Sequence, residues 1–273
     1  MTLIFDRKKI LQHRNQASSN YKHSKFFGNL AEGVMDRLEP LNKDYSAVLD
    51  INCRNGNFTQ LFRDKHTNAK IIATDISSKM LDSFKHQYKW QIDEELITSR
   101  LIEYNPDIGE NYFDLINFSL GLHWINNVEE FLEQIYSLLK SDGIFIANFI
   151  GGDSLKKLRT ELINIESILE VSHHSRISPF IYFQHVPALL QRAGFKDIIV
   201  DQDEIAFTYP SSYELMKEIK ELGESSGLVR SSNYSLSKKM ISSLSVCNKQ
   251  FHDKINIISF IAGKDKNTIK MKT

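Results

Sequence analysis

Apolar residues recur at helical spacing in Phe27, Leu30, Val34 and Leu38, which predicts a helix over Phe26–Leu41 that ends around Pro40. The period then changes. Short β-like runs at Ala47–Ile51, Lys70–Thr74, Ile97–Ile102, Phe113–Phe118 and Gly143–Phe149 alternate with helical patterns at Phe58–Lys65, Ser78–Tyr88 and Val128–Leu139. That alternation predicts a parallel sheet with helices on both faces and right-handed crossovers. Further along, Ser154–Leu169 and Phe183–Ala193 read as helices, with Gly194 as the stop of the second. Phe195–Val200 and Glu204–Tyr209 read as strands, Tyr213–Leu222 and Leu236–Phe251 as helices, and Ile255–Ala262 as a last strand. The pattern fits a seven-stranded sheet. It divides into an N-terminal helical segment (1–41), a core (42–209), a helical lid insertion (210–254) and a final strand with tail (255–273).

The first strand runs into Asp50-Ile51-Asn52-Cys53-Arg54-Asn55-Gly56 and then into a helix. A strand–turn–helix of this kind presents backbone N–H groups at a helix start, where nucleotide-like ligands dock. Asp75 ends the second strand, about twenty residues beyond the loop, placed to accept the hydroxyls of a ribose. Ile76 is placed to cover an adenine face, Glu103 to meet a base edge, and Ser119 ends the fourth strand beside Gly121-Leu122-His123-Trp124. Each has a plainer reading. The loop also reads as an ordinary turn, and Asp75 as a cap for the helix starting near Ser77. Trp124 is expected to pack and His123 either to touch substrate or to lie exposed. Asn52 and Arg54 stand where such a loop usually has glycine. Asn is the least hindered substitute at positive φ, and Arg54 has room if it points outward, where its charge could pair with a cofactor carboxylate.

These residues resemble class I, type-11 S-adenosylmethionine-dependent methyltransferases, whose sheet has the order 3-2-1-4-5-7-6 with strand seven antiparallel. Asp50, Cys53 and Gly56 match that family's first loop and Asp75 its second-strand acid. Asn52 and Arg54 depart, and so does Ile102, with Glu103 adjacent. The stretches Ile4-Phe5-Asp6-Arg7, Leu122-His123-Trp124-Ile125-Asn126-Asn127, Gly151-Gly152-Asp153-Ser154-Leu155, Ile177-Ser178-Pro179-Phe180, Arg192-Ala193-Gly194-Phe195 and Gly223-Glu224-Ser225 resemble the subfamily of a mitochondrial complex I assembly factor implicated in arginine hydroxylation, and of its bacterial relatives. The malonyl-carrier-protein methyltransferases of biotin synthesis are more distantly similar. The resemblance implies a Rossmann-like α/β fold and S-adenosylmethionine as cofactor. It places Asp50, Asn52, Cys53, Gly56, Asp75, Ile76, Glu103 and Ser119 around that cofactor, with His123 as the candidate catalytic residue.

Composition trims the alternatives. Thirty-four basic and thirty-four acidic residues balance, so no global field favours nucleic acid. Two cysteines, Cys53 and Cys247, read as free thiols in a reducing cytoplasm rather than a disulfide framework. The start lacks a secretory pattern, and no apolar run approaches the roughly 20 residues of a membrane span. No Cys/His spacing points to a metal, and the adjacent His173 and His174 diverge on any regular element. Gly223-Glu224-Ser225-Ser226-Gly227 spells G-x-S-x-G but follows a helical pattern rather than the strand a nucleophile elbow needs. Asp153 is expected to cap the helix after it, with Gly151 and Gly152 making room for a substrate. The basic start, including Arg14, is expected to be a solvated face or a partner contact. Three functions are compatible with these features: a methyltransferase on a small-molecule, carrier-bound or protein substrate; a respiratory-complex assembly factor or arginine hydroxylase; or a scaffold that no longer binds cofactor.

Overall fold

The structure is a computed structural model that describes residues 3–20, 25–41, 43–88, 96–98, 109–229, 236–245, 250–265 and 268–270. Among these, seven strands form one sheet: β1 (Ala47–Ile51), β2 (Lys70–Asp75), β3 (Leu96–Thr98), β4 (Phe113–Ser119), β5 (Leu139–Ile150), β6 (Asp197–Tyr209) and β7 (Phe251–Gly263). Their order is β3-β2-β1-β4-β5-β7-β6. The first five run parallel, and β7 is antiparallel to both β5 and β6, as the resemblance implied. Glu103 and Cys247, like the expected third-strand residues beyond Thr98, lie outside the described residues.

β1 is buried along its whole length because both faces are covered, the condition that gives a parallel strand its unbroken apolar run. On one face Leu49, Ile51, Ile116, Phe118 and Phe145 meet Phe131, Leu132, Ile135 and Leu138 of α5 (Val128–Leu138). On the other, Val48, Ile71, Leu115, Ile144 and Ile146 meet α2 (Lys25–Leu38) and α3 (Asn57–Lys65). α1 (Arg7–Ala17) precedes these, and α4 (Ser78–Tyr88) joins β2 to β3. The register aligns polar residues across neighbouring strand ends: Asp50 lies opposite Asn117, and Ser119 opposite Asn148. The carboxyl ends of β1, β4 and β5 therefore form one edge. The chain leaves β1 in one direction and β4 in the other, a switch point where open sheets bind ligands.

Several boundaries differ from the sequence pattern for identifiable reasons. The two runs at 195–209 form one strand, β6, whose polar middle is tolerated because β6 is an edge. There Arg37 of α2 binds Asp201 at 2.7 Å and Asp203 at 2.9 Å. The expected helix Leu236–Phe251 contracts to α9 (Lys238–Leu244), because Phe251, His252 and Asp253 pair with Tyr209, Thr208 and Phe207 of β6. α6 (Lys156–Ile168) is not capped by Asp153. Leu155 takes the cap position at φ 56°, and Asp253 from β7 accepts from the backbone N–H of Leu158 at 2.8 Å. The Phe183–Ala193 helix is a turn of 3₁₀ helix followed by α7 (Val186–Arg192), which starts where Pro187 fits the first helical turn. Gly194 ends α7 at φ 104°. α8 (Ser212–Glu221) and α9 lie between β6 and β7 and pack Leu215, Met240 and Leu244 against Leu158, Leu162 and Ile165 of α6.

Candidate functional site

The loop after β1 has the backbone of a ligand-binding turn in spite of its side chains. Asn52, Arg54 and Gly56 all lie in the left-handed region, at φ 62°, 53° and 82°. Ordinary residues resist that region by about 1–2 kcal/mol. The expectation for Asn52 holds, and its amide adds a reason: Nδ2 donates to Ser119 O at 2.7 Å. Gly56 is needed for space as well as for φ, since a Cβ there would sit 2.3 Å from the ring of Phe84.

Arg54 does not point outward. It is 3% exposed, with Nη1 donating to Ser119 O at 2.9 Å and Nη2 to Leu120 O at 3.1 Å. Its guanidinium lies over the ring of Phe27, 4.8 Å from the centroid, and bonds Glu224 Oε1 at 2.7 Å. Two carbonyls at the end of β4 and a carboxylate give it a charge-assisted site that solvent cannot match.

Glu224 is the centre of this arrangement. Its Oε1 also meets Arg14 Nη2 at 3.2 Å, its Oε2 accepts from Trp124 Nε1 at 3.3 Å, and His123 Nε2 stands 3.9 Å away. Burial alone would raise its carboxyl, but Arg14 and Arg54 outweigh that and hold it well below the usual carboxylate range. Arg14, expected on a solvated face, is 1% exposed. α1 is strapped across this edge. Asn15 accepts from Ser77 Oγ, His13 meets Ser225 O, Phe5 pairs with Leu228, and Asp6 N–H donates to Gly227 O. Asn126 holds the start of the chain through both backbone groups of Phe5.

His123 is buried rather than exposed, against Trp124 and Phe180, and neither ring nitrogen has a hydrogen-bond partner. Burial lowers its pKa against the pull of Glu224, so the ring is neutral. Trp124 packs as expected, edge-on to Phe5. Gly151 and Gly152 do not open space for a ligand. Added Cβ atoms would strike Ile258 at 2.4 Å and Tyr182 at 2.2 Å, so the chain itself fills that room.

The two acids divide differently. Asp50 accepts from Thr59 Oγ1 and from Asn117 Nδ2 at 2.7 Å, and burial pushes its pKa up to about 7. Asp75 is fully buried. Its Oδ1 accepts from Ser77 N–H at 2.8 Å and its Oδ2 from Arg54 N–H at 3.1 Å, while Ser77 Oγ caps α4 through Met80 N–H. Burial raises the Asp75 carboxyl too. Asp75 thus ties the loop to the start of α4, with both of its oxygens accepting from backbone N–H groups.

Between the loop and α2 lies a cavity of about 30 Å³. Asp50, Asn52, Cys53, Arg54, Asn117 and Ser119 line its polar side and Phe27 its apolar side. Cys53 is buried and its thiol pushed up, which leaves it unreactive. Buried Asn55 Oδ1 has no partner there. Asp75, Ile76 and His123 are not among the lining residues. The lining suits the amino-acid end of a cofactor such as S-adenosylmethionine. That volume is enough to hold water. Among the described residues no three His, Cys, Asp or Glu side chains gather as a metal cage, and no helix is long and apolar enough to cross a membrane.

Sequence reasoning missed Glu224 and Arg14. The available signal was that Ile4–Arg7, Leu122–Asn127 and Gly223–Ser225 belonged to one set of motifs, and these three stretches meet in space.

Comparison with known proteins agrees with the fold. A family model described as a methyltransferase domain matches residues 49–147. The chain is 47% identical to the putative methyltransferase RP459 of Rickettsia prowazekii, over 85% of this chain and 99% of that protein. It is 36% identical to mouse mitochondrial arginine-hydroxylase NDUFAF5 over 81% of this chain, which spans only 64% of that relative's length. Among solved structures, a phosphoethanolamine N-methyltransferase of Haemonchus contortus, crystallised with S-adenosylhomocysteine, superposes with a TM-score of 0.55 at 16% identity, over 87% of this chain and 53% of that one. With its sheet order, its β1 loop and this degree of identity, the chain belongs to the methyltransferase family.

Proposed function

We propose that this protein is an S-adenosylmethionine-dependent methyltransferase whose cofactor lies along the edge formed by β1, β2 and β4. The observation that carries the reading is the left-handed loop Asn52–Gly56, kept at the switch point although two of its glycine positions are filled. Asp50, Asn52, Cys53, Gly56 and Ser119 hold the amino-acid end, and Asp75, Ile76 and Glu103 the nucleoside. S-adenosylmethionine supplies a sulfonium methyl group when bound. The chain's own contribution is alignment and exclusion of water. Asn52 and Arg54 fix the loop against β4, and Phe27 and Phe58 wall it from solvent. His123 would serve as the base that takes a proton from the methyl acceptor. α8 and α9 serve as a lid on the core, which β7 completes and α1 and α2 cover. The cytoplasmic location read from the thiols belongs to the same proposal.

A second reading, modification of an arginine on a respiratory-complex subunit, draws support from the 36% identity to the mouse arginine-hydroxylase. Titration calorimetry with S-adenosylmethionine and S-adenosylhomocysteine tests the first. Micromolar binding is expected. No heat and no thermal shift at millimolar ligand would overturn it and leave a scaffold role in its place.

A further inference from the structure

We infer that Arg14, Arg54 and Trp124 form a binding site for a ligand carboxylate, and that Glu224 occupies it as an internal stand-in. Two guanidinium groups and an indole N–H converge on one carboxylate, at 3.2, 2.7 and 3.3 Å, with His123 Nε2 behind them at 3.9 Å. Three of these groups come from near the ligand edge of the sheet: Arg54 from the loop after β1, and His123 and Trp124 from the turn after β4. The acceptor comes from elsewhere, a short segment after α8 held to the first residues of the chain by one β-bridge and a few backbone bonds.

The two sides differ in how firmly they are fixed. Arg54 stays in place without Glu224, because Ser119 O and Leu120 O hold its guanidinium and Phe27 covers it. Arg54 is also a lining residue of the polar cavity, the one member of the cluster shared with it. The Glu224 side chain retains 7% exposure, against 1% for Arg14 and 4% for Arg54.

Energetics favour exchange over simple opening. A buried ion cluster is a poor device for stability alone, since apolar packing of the same volume does as well or better. Removing its anion, by contrast, takes a counter-charge away from two buried guanidinium groups. Glu224 therefore leaves readily only when another carboxylate arrives. Two sources have that chemistry: the α-carboxylate of the cofactor's methionine end, and a carboxylate on the methyl acceptor. The cofactor source rests on the methyltransferase function proposed for this chain; the acceptor source does not.

The test compares the wild type with Glu224→Gln, both in a Trp90→Phe background so that emission reports Trp124. Titrants are S-adenosylhomocysteine, 5′-methylthioadenosine, which lacks the carboxylate, and succinate, which lacks the nucleoside. Glu224→Gln is expected to tighten S-adenosylhomocysteine about tenfold while leaving methylthioadenosine unchanged. Tightening of succinate alone assigns the site to the acceptor's carboxylate. Tightening of neither overturns the inference. If Glu224→Gln fails to fold, wild-type emission decides: a shift with a carboxylate ligand but not with methylthioadenosine supports exchange, and an equal shift or none refutes it. Should neither nucleoside bind either protein, the cofactor reading falls while the succinate titration still judges the site.

Discussion

Replacing Arg54 by glycine restores the residue type expected in such a loop, yet the structure says it destabilises the protein. The guanidinium holds Ser119 O, Leu120 O and Glu224 at 2.9, 3.1 and 2.7 Å and covers Phe27. Breaking a buried pair costs about 3–5 kcal/mol. The low end applies, because Glu224 keeps Arg14 and Trp124. Against this, glycine relieves a φ of 53°, worth roughly 1–2 kcal/mol, and gives back up to about 1 kcal/mol in chain entropy. The net loss is about 1–3 kcal/mol, a fall in Tm of roughly 3–8 °C for a chain of this size. Calorimetric or urea unfolding measures it. Arg54→Ala provides the internal control: it removes the same contacts but keeps a Cβ at positive φ, so it should be about 1 kcal/mol less stable than Arg54→Gly. The reasoning is refuted if Arg54→Gly matches the wild type, or if alanine proves the more stable replacement.

Two further outcomes concern buried acids and helix caps. Asp50 has a folded pKa of about 7 against 3.8 for the free side chain, so its ionisation is opposed in the native state. Native stability should fall as pH rises from about 4 to about 7, by at most about 4 kcal/mol. Asp50→Asn cannot ionise, so its stability relative to the wild type should climb between about pH 5 and about pH 8 in urea melts; a flat difference contradicts the assignment. Working above about pH 5 keeps the opposite effect of Glu224 out of the comparison: its depressed pKa gives stability that is present above about 4.5 and lost below. At α6, Asp253→Ala removes the cap on Leu158 and should cost about 1 kcal/mol, or roughly 2–3 °C in Tm, whereas Asp153→Ala should leave the melt unchanged. Equal effects would return the capping role to Asp153.

The sheet was readable from the chain because each buried strand declares itself over a few neighbouring residues. Ala47–Ile51 matches to the residue for that reason. So does Ser78–Tyr88, whose apolar stripe is local. What escaped was long-range. The polar middle of β6 looks like a break until Arg37 is seen binding Asp201 and Asp203 from 164 and 166 positions away. The cap of α6 comes from 95 residues downstream. The site itself depended on such a pairing. Arg54 and Glu224 are 170 positions apart, and nothing in the periodicity of either neighbourhood announces that they meet. Asp75 was legible in position but ambiguous in role, because a carboxylate at a strand end can serve a ligand or the backbone. Here both of its oxygens serve the backbone.

The outer edge of β6 has a consequence for how copies of this chain behave toward each other. A thirteen-residue strand that, among the described residues, pairs only with β7 offers a long template for unwanted strand addition. Its middle reads Asp201-Gln202-Asp203-Glu204, and Arg37 and Lys254 bring further charge to that stretch. An incoming strand would have to strip water from these groups and break the Arg37 clamp before forming its first backbone bonds. The acids that hid β6 from a pattern search are thus a guard against fibre-like stacking, and a protein neutralised at this edge should precipitate before it unfolds.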